Sequence, residues 1–180
     1  MKKTFVFLAF LCLTGSIYAQ KKTTTSATIS FDATTAKDAL PKAENKTVIG
    51  SIDTQTGAVA FEAAVKNFSF SNPMMQDHFN GDKWFNSNKY PVFLFTGKIE
   101  NPKKVKFATN GTYKVKVNGE LKIKDITKKA KINGTITVVD GKIRIASDFS
   151  IRLSDYNISG TPIEAGKVHK EPKIRVAAEF

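Results

Sequence analysis

Tyr113-Lys114-Val115-Lys116-Val117-Asn118-Gly119-Glu120-Leu121-Lys122-Ile123 is the stretch that decides the fold. Its odd-numbered residues are apolar or glycine, and Lys114, Lys116, Asn118, Glu120, Lys122 and then Lys124 stand between them. Period two over such a length predicts an antiparallel strand with one dry and one wet face. The pattern repeats downstream. Ala130, Ile132, Gly134, Ile136 and Val138 carry it, then Ile143, Ile145, Ser147, Phe149, Ile151 and Leu153, and finally Ile174, Val176, Ala178 and Phe180. Asn110-Gly111 opens the first run, and Asp125-Ile126-Thr127 and Asp140-Gly141 read as hairpin turns between runs. Strands of about 10 residues span roughly 33 Å, longer than most. Long strands in consecutive hairpins suit a closed or nearly closed barrel better than a small sandwich.

Working back from that stretch, the first half is less regular. Residues 27–31 read as a short strand and residues 34–46, polar and broken by Pro41, as a loop. Residues 47–53 and 58–65 form a strand pair around Thr54-Gln55-Thr56-Gly57. Asn72-Pro73 is a helix start, a capping side chain followed by proline at the first helical position, and Gly81 is a stop. Met74, Met75, His78 and Phe79 are expected to share one face of that helix. A turn through Trp84-Phe85 leads by Tyr90-Pro91 into the apolar strand Val92-Phe93-Leu94-Phe95.

At the N-terminus, Met1-Lys2-Lys3, an apolar run over residues 5–13 and Gly15-Ser16-Ile17-Tyr18-Ala19 have the order of a cleaved export signal. The apolar run is shorter than the ~20 residues that span a bilayer. The expectation is a leader over residues 1–19 and one domain over residues 20–180. Cys12, the single cysteine, leaves with the leader.

Residues 98–144 hold 13 basic and 4 acidic residues, net +9, nearly the whole excess of a chain at +12. The basic residues are mostly lysine, the arginines being Arg144, Arg152 and Arg175. Base-edge recognition favours the arginine fork, so nucleic acid is not expected as a partner. The lysines read either as a solvated face and guarded edges or as attraction to an anionic membrane surface or phosphate group.

Catalytic signatures are thin. His78 and His169 have no paired-ligand spacing, no serine signature or glycine-rich phosphate loop occurs, and neither metal nor cofactor is expected. The informative feature is apolar: seven phenylalanines lie between Phe61 and Phe95. Phe61 and Val65 share a strand face, as do Phe93 and Phe95, with Phe68 and Phe70 between them. Met75 and Phe79, one helical turn apart, could close one end as a lid supported by Trp84 and Phe85. These ten are the candidate ligand-binding residues. They describe a solid aromatic core as well as the wall of a cavity for a flexible hydrocarbon, and the sequence leaves both open.

The same segment resembles a known family. Gln76-Asp77-His78-Phe79-Asn80, Trp84-Phe85, Lys89-Tyr90-Pro91 and Phe93 to Phe95 are similar to the central signature of the YceI-like family. Gly119-Glu120-Leu121-Lys122-Ile123 with Asp125-Ile126-Thr127-Lys128, and Ser154-Asp155-Tyr156, resemble its later landmarks. The similarity spans roughly residues 45–180. It implies an all-β, antiparallel, lipocalin-like barrel with a short helical insertion, periplasmic and without catalytic residues, holding a polyisoprenoid or fatty-acid-like lipid inside. The N-terminal side departs from the pattern, lacking the family's opening tryptophan, and Asp125 stands where glycine is frequent. The leading expectation is therefore a non-enzymatic periplasmic carrier of a long apolar ligand. A solid-core barrel binding an anionic partner or membrane surface is the alternative, ahead of an enzyme acting on a lipid-like substrate. The oligomeric state stays open.

Overall fold

The computed structural model of the protein describes residues 21–180, and the expected leader lies outside the described residues. The elements run β1 (Lys21–Asp32), β2 (Lys42–Asp53), β3 (Ala58–Ala64), the two-residue β4 (Ser69–Phe70), α1 (Pro73–Asn80) and β5 (Val92–Ile99). They continue as β6 (Gly111–Ile123), β7 (Ile126–Val139), β8 (Lys142–Ser150), α2 (Thr161–Glu164) and β9 (Lys173–Glu179). Strands pair in the order β1-β9-β8-β7-β6-β5-β3-β2, and β2 pairs back onto β1, so eight antiparallel strands close a barrel. The fold read from the alternation and from the family resemblance is the one observed.

The long hairpins form where the pattern places them. β6 and β7 pair from Gly111↔Val138 to Ile123↔Ile126. Asp140 and Gly141, both at positive φ (50° and 78°), turn β7 into β8. This is the left-handed pair that two-residue hairpins favour. Asn110 steadies the same end, its Oδ1 accepting from Asp140 N at 2.8 Å. The other turn is tighter than expected. It consists of Lys124 and Asp125, because Ile126 and Thr127 already pair with Ile123 and Lys122.

The N-terminal side corrects the sequence reading most. β1 begins at Lys21, although Lys21 to Ser26 is uniformly polar. It is held there by pairing with β2, from Lys21↔Asp53 to Thr24↔Gly50, and tertiary pairing overrides the missing pattern. β2 begins at Lys42, inside the stretch expected to be a loop, with Ala43 and Asn45 pointing inward. Asn45 is wholly buried: its Nδ2 donates to Ala64 O (2.9 Å), and its Oδ1 accepts from Thr47 N and Oγ1 (both 2.9 Å). A buried polar side chain that meets its own hydrogen-bond needs breaks an apolar alternation without breaking the strand. β8 ends at Ser150, earlier than its alternation, and Leu153–Tyr156 is a 3-10 turn. Val65 leaves β3 for another such turn, Val65–Asn67, yet stays buried.

Among the described residues no helix is long and apolar enough to cross a membrane. Three of the six outward residues of β6 are lysine and none is apolar, the reverse of the apolar outer band of a membrane-spanning barrel.

Candidate functional site

The inward faces of the strands bound an apolar cavity. On β6, inward Val115, Val117 and Leu121 are only half-buried, whereas inward Ile174, Val176 and Ala178 of β9 are buried. Side chains on the inside of a barrel stay half-exposed only when open space lies before them. That space, counted as volume open to the centre of a water molecule, is about 120 Å³. At about 10–15 Å³ each, this is room for on the order of ten waters. The walls are aliphatic and aromatic, and Ser147 is the one polar side chain among the described lining residues. Water has little to bond to there, so a hydrocarbon is the occupant that such walls favour.

Two glycines keep the middle of the barrel open. Gly97 and Gly119 face each other across β5 and β6. A Cβ on either would fall 3.0 Å or less from Phe95 Cζ, so the Phe95 ring lies across the pair rather than into the lumen.

Six of the ten sequence-derived candidates line the cavity: Phe61, Phe68, Phe79, Phe85, Phe93 and Phe95. Val65 is buried in the surrounding core, and Phe70 and Trp84 pack against that core without reaching the lumen. Met75 is half-buried on α1, and Met74 is 67% exposed. The shared apolar helix face is thus a correction, because Phe79 alone of the four expected residues is buried. Phe79 is also a plug rather than a lid. It is 2% exposed, with ring centroids 4.4 Å from Phe85, 5.0 Å from Phe70 and 5.5 Å from Phe31. The helix that delivers it is fixed by Asn72, whose Oδ1 accepts from Met74 N (2.9 Å) and Met75 N (3.4 Å). The remaining lining residues, among them Val117, Leu121, Ile132, Ile145 and Phe149, were missed as site residues. Their signal was the inward alternation itself.

The titratable groups lie elsewhere. Asp32, on the outer side, has its carboxyl held below the usual range by the hydroxyl and amide of Thr34, with Lys173 and Lys42 nearby. His169 Nδ1 is engaged by the backbone of Glu171 (2.8 and 3.0 Å). Among the described residues no three His, Cys, Asp or Glu side chains cluster to hold a metal.

The family model described as YceI-like domain matches residues 15–180. No curated protein matches. Among solved structures, BcnA of Burkholderia cenocepacia superposes with a TM-score of 0.71 at 17% identity, over 86% of this chain and 96% of that one. A polyisoprenoid binding domain from Saccharophagus degradans, implicated in plant cell wall breakdown, gives 0.74 at 12%, over 90% and 98%. The YceI protein of Campylobacter jejuni gives 0.54 at 19%, over 100% and 99%. At these identities the likeness is one of fold.

Proposed function

The chain belongs to the family of YceI-like domains, and from that premise we propose that it is a non-enzymatic carrier whose barrel holds a long apolar lipid, a polyisoprenoid or fatty-acid-like chain. The carrying observation is the apolar cavity that the half-buried inward face of β6 borders. The solved polyisoprenoid binding domain of the same fold supports the ligand class, and the leader-like order of residues 1–19 supports work in the periplasm. The outward lysines of β6 support contact with an anionic membrane surface, where such a ligand would be loaded or delivered.

Size limits what the cavity can do as it stands. A CH₂ group fills about the space of a water molecule, so on the order of ten carbons fit. At about 0.8 kcal/mol per buried CH₂ this supplies roughly 8 kcal/mol, equivalent to a micromolar Kd before the costs of association. Longer chains must widen the barrel or leave part of themselves outside.

The test compares two phenylalanines. Phe79→Ala opens a hole in a packed cluster and should cost about 3–5 kcal/mol of stability. Phe95→Ala removes a ring that already faces space, so the empty protein should lose clearly less while affinity for a dansyl-labelled fatty acid changes. Native mass spectrometry of protein from its own envelope should show a retained lipid. No probe binding in wild type, together with an equally large stability loss at Phe95, would sink the carrier reading. A filled barrel that meets its partners through its outer face would take its place.

A further inference from the structure

We propose that the ligand enters sideways, through a gap between β7 and β8, and that Lys128 on its lip receives the carboxylate or phosphate end of an apolar chain. This rests on the carrier reading above.

The gap follows from pairing. β7 pairs with β6 from Ile126 to Val138, but with β8 only over residues 134–139. The β7–β8 ladder stops at Gly134↔Ser147, where Ser147 Oγ turns to donate to Asn133 O at 2.8 Å. Beyond that point the chain of β8 bonds the other way. Asp148, Phe149 and Ser150 pair with Arg175, Ile174 and Lys173, and then Ile151 N donates to Pro172 O (3.3 Å) and Leu153 N to Lys170 O (3.1 Å). Residues 126–132 are thus left without a ladder partner on the β8 side among the described residues. Ile132 on one side of the gap, and Ser147 and Phe149 on the other, are half-buried and line the cavity. The two ends of the barrel are shut by packed side chains. Phe79 and Phe85 close the helical end, and Ile52, Val105 and Ile143 belong to the buried cluster at the other. A chain that enters by either end must unpack a core.

Lys128 is placed for a head group. It stands opposite Leu121, which lines the cavity, and cross-strand partners project to the same face of a sheet. Lys128 therefore holds an inward position on a stretch that lacks its neighbouring strand. It is exposed and makes no ion pair among the described residues. Guarding a bare strand edge is the ordinary work of lysine, but outward Lys129 and Lys131 already do that. An ammonium cannot move into the apolar lumen without losing its hydration. With its stem along the lip it keeps the charge at the mouth. Since the cavity takes on the order of ten carbons, the polar end of a longer chain is left where Lys128 is.

Two measurements test this on the whole protein. In the first, a dansyl-labelled fatty acid is displaced by a fatty acid, farnesyl phosphate and their matched alcohols. Wild type should prefer at least one anionic form over its alcohol by about tenfold at low salt. Lys128→Gln should abolish that preference and leave alcohol binding unchanged. Preference for the carboxylate alone, the phosphate alone, or both supports the assignment and names the head group. Equal binding of acids and alcohols, or a preference that survives Lys128→Gln, overturns it. In the second, Lys131→Cys and Ser150→Cys are bridged across the gap by a short bis-maleimide. Bridging should slow probe uptake and release at least tenfold with Kd unchanged, and the unbridged variant controls for folding. Uptake at the unbridged rate overturns the portal. Wild type that binds none of the probes overturns the carrier reading and this inference with it, an outcome distinct from the other two.

Discussion

Tyr156 shows what one residue contributes beyond the cavity. It ends the 3-10 turn Leu153–Tyr156, is 4% exposed, and belongs to the buried cluster around Phe79. Burial pushes its phenol above the ordinary value of 10.0, and the charge of neighbouring Asp155 pushes the same way. A group whose pKa is raised by folding gives stability that is full below the unfolded value and lost as pH rises through the folded one. Alkaline unfolding should therefore steepen from about pH 10 upward. Tyr156→Phe, which cannot ionise, should unfold less readily there and little differently at pH 7, as urea melts at the two pH values would register. Equal curves would show that the phenol is not the group responsible. The burial of this stretch was legible and its backbone was not. Ile151 and Leu153 do lie inside, but the alternation that predicts this cannot show the chain leaving the sheet after Ser150, because one 3-10 turn keeps the same residues buried.

At the level of elements, β5 and β6 meet at Gly97 and Gly119, and neither glycine is needed for its φ, since neither lies in the left-handed region. What they supply is room. A Cβ on Gly119 would collide with Thr96 O and stand 2.8 Å from both Gly97 Cα and Phe95 Cζ. Two of those three neighbours are backbone and cannot rotate away. Glycine within a strand often marks such close approach. Gly119→Ala should cost about 1–3 kcal/mol by the usual toll of overpacking and press the Phe95 ring into the lumen, weakening probe binding. Gly97→Ala, whose Cβ meets Val117 Cγ1 at 2.8 Å and both Phe95 Cζ and Asn118 O at 3.0 Å, should cost less, because its closest neighbour is a side chain that can yield and its one backbone contact is looser than those at Gly119. Urea midpoints rank the two, and equal, small shifts would show that the space is dispensable. The strands themselves were readable from β6 to β9, where one face is lysine or polar and the other apolar. They were unreadable in the first half of β1, whose second half (residues 27–31) was read as a strand, and at the start of β2. There threonine and lysine fill both faces of Lys21 to Ser26, and Asn45 takes an inward position, so the information sits in the partner strand. The helix was readable from Asn72, Pro73 and Gly81, but its buried face was not, since only the barrel end decides that Phe79 turns in and Met74 out.

For the whole molecule, the sequence left a filled and a hollow barrel equally possible, because free volume depends on how eight inward faces meet rather than on any one of them. The outer surface was more legible, and it sets the last expectation. Lys114, Lys116 and Lys122 of β6 are exposed, as is Lys98, which stands beside them on β5 opposite Asn118. None of the four forms an ion pair among the described residues, while Lys131 across β7 is partly neutralised by Glu100 at 3.6 Å. Lys124, expected on the same face, instead sits half-buried in its turn with Nζ 6.0 Å from the Tyr90 ring. A basic face on which Glu120 is the one acid of β6 attracts anionic lipid with about 1 kcal/mol per lysine. Four of them amount to on the order of a thousandfold in partitioning. Vesicles containing phosphatidylglycerol should therefore sediment the protein at about 0.1 M salt, where the screening length is ~10 Å, and release it near 1 M, where it is ~3 Å. Replacing Lys98, Lys114, Lys116 and Lys122 with glutamine should abolish sedimentation while each change moves stability by no more than about 0.5 kcal/mol, as expected for solvated positions. Binding that persists in the quadruple variant would place the membrane contact on another face. Collapse of the fold would show that these lysines are not solvated. Binding that is lost while probe uptake from solution stays intact would separate membrane docking from ligand holding, which the geometry assigns to opposite faces of the same strand.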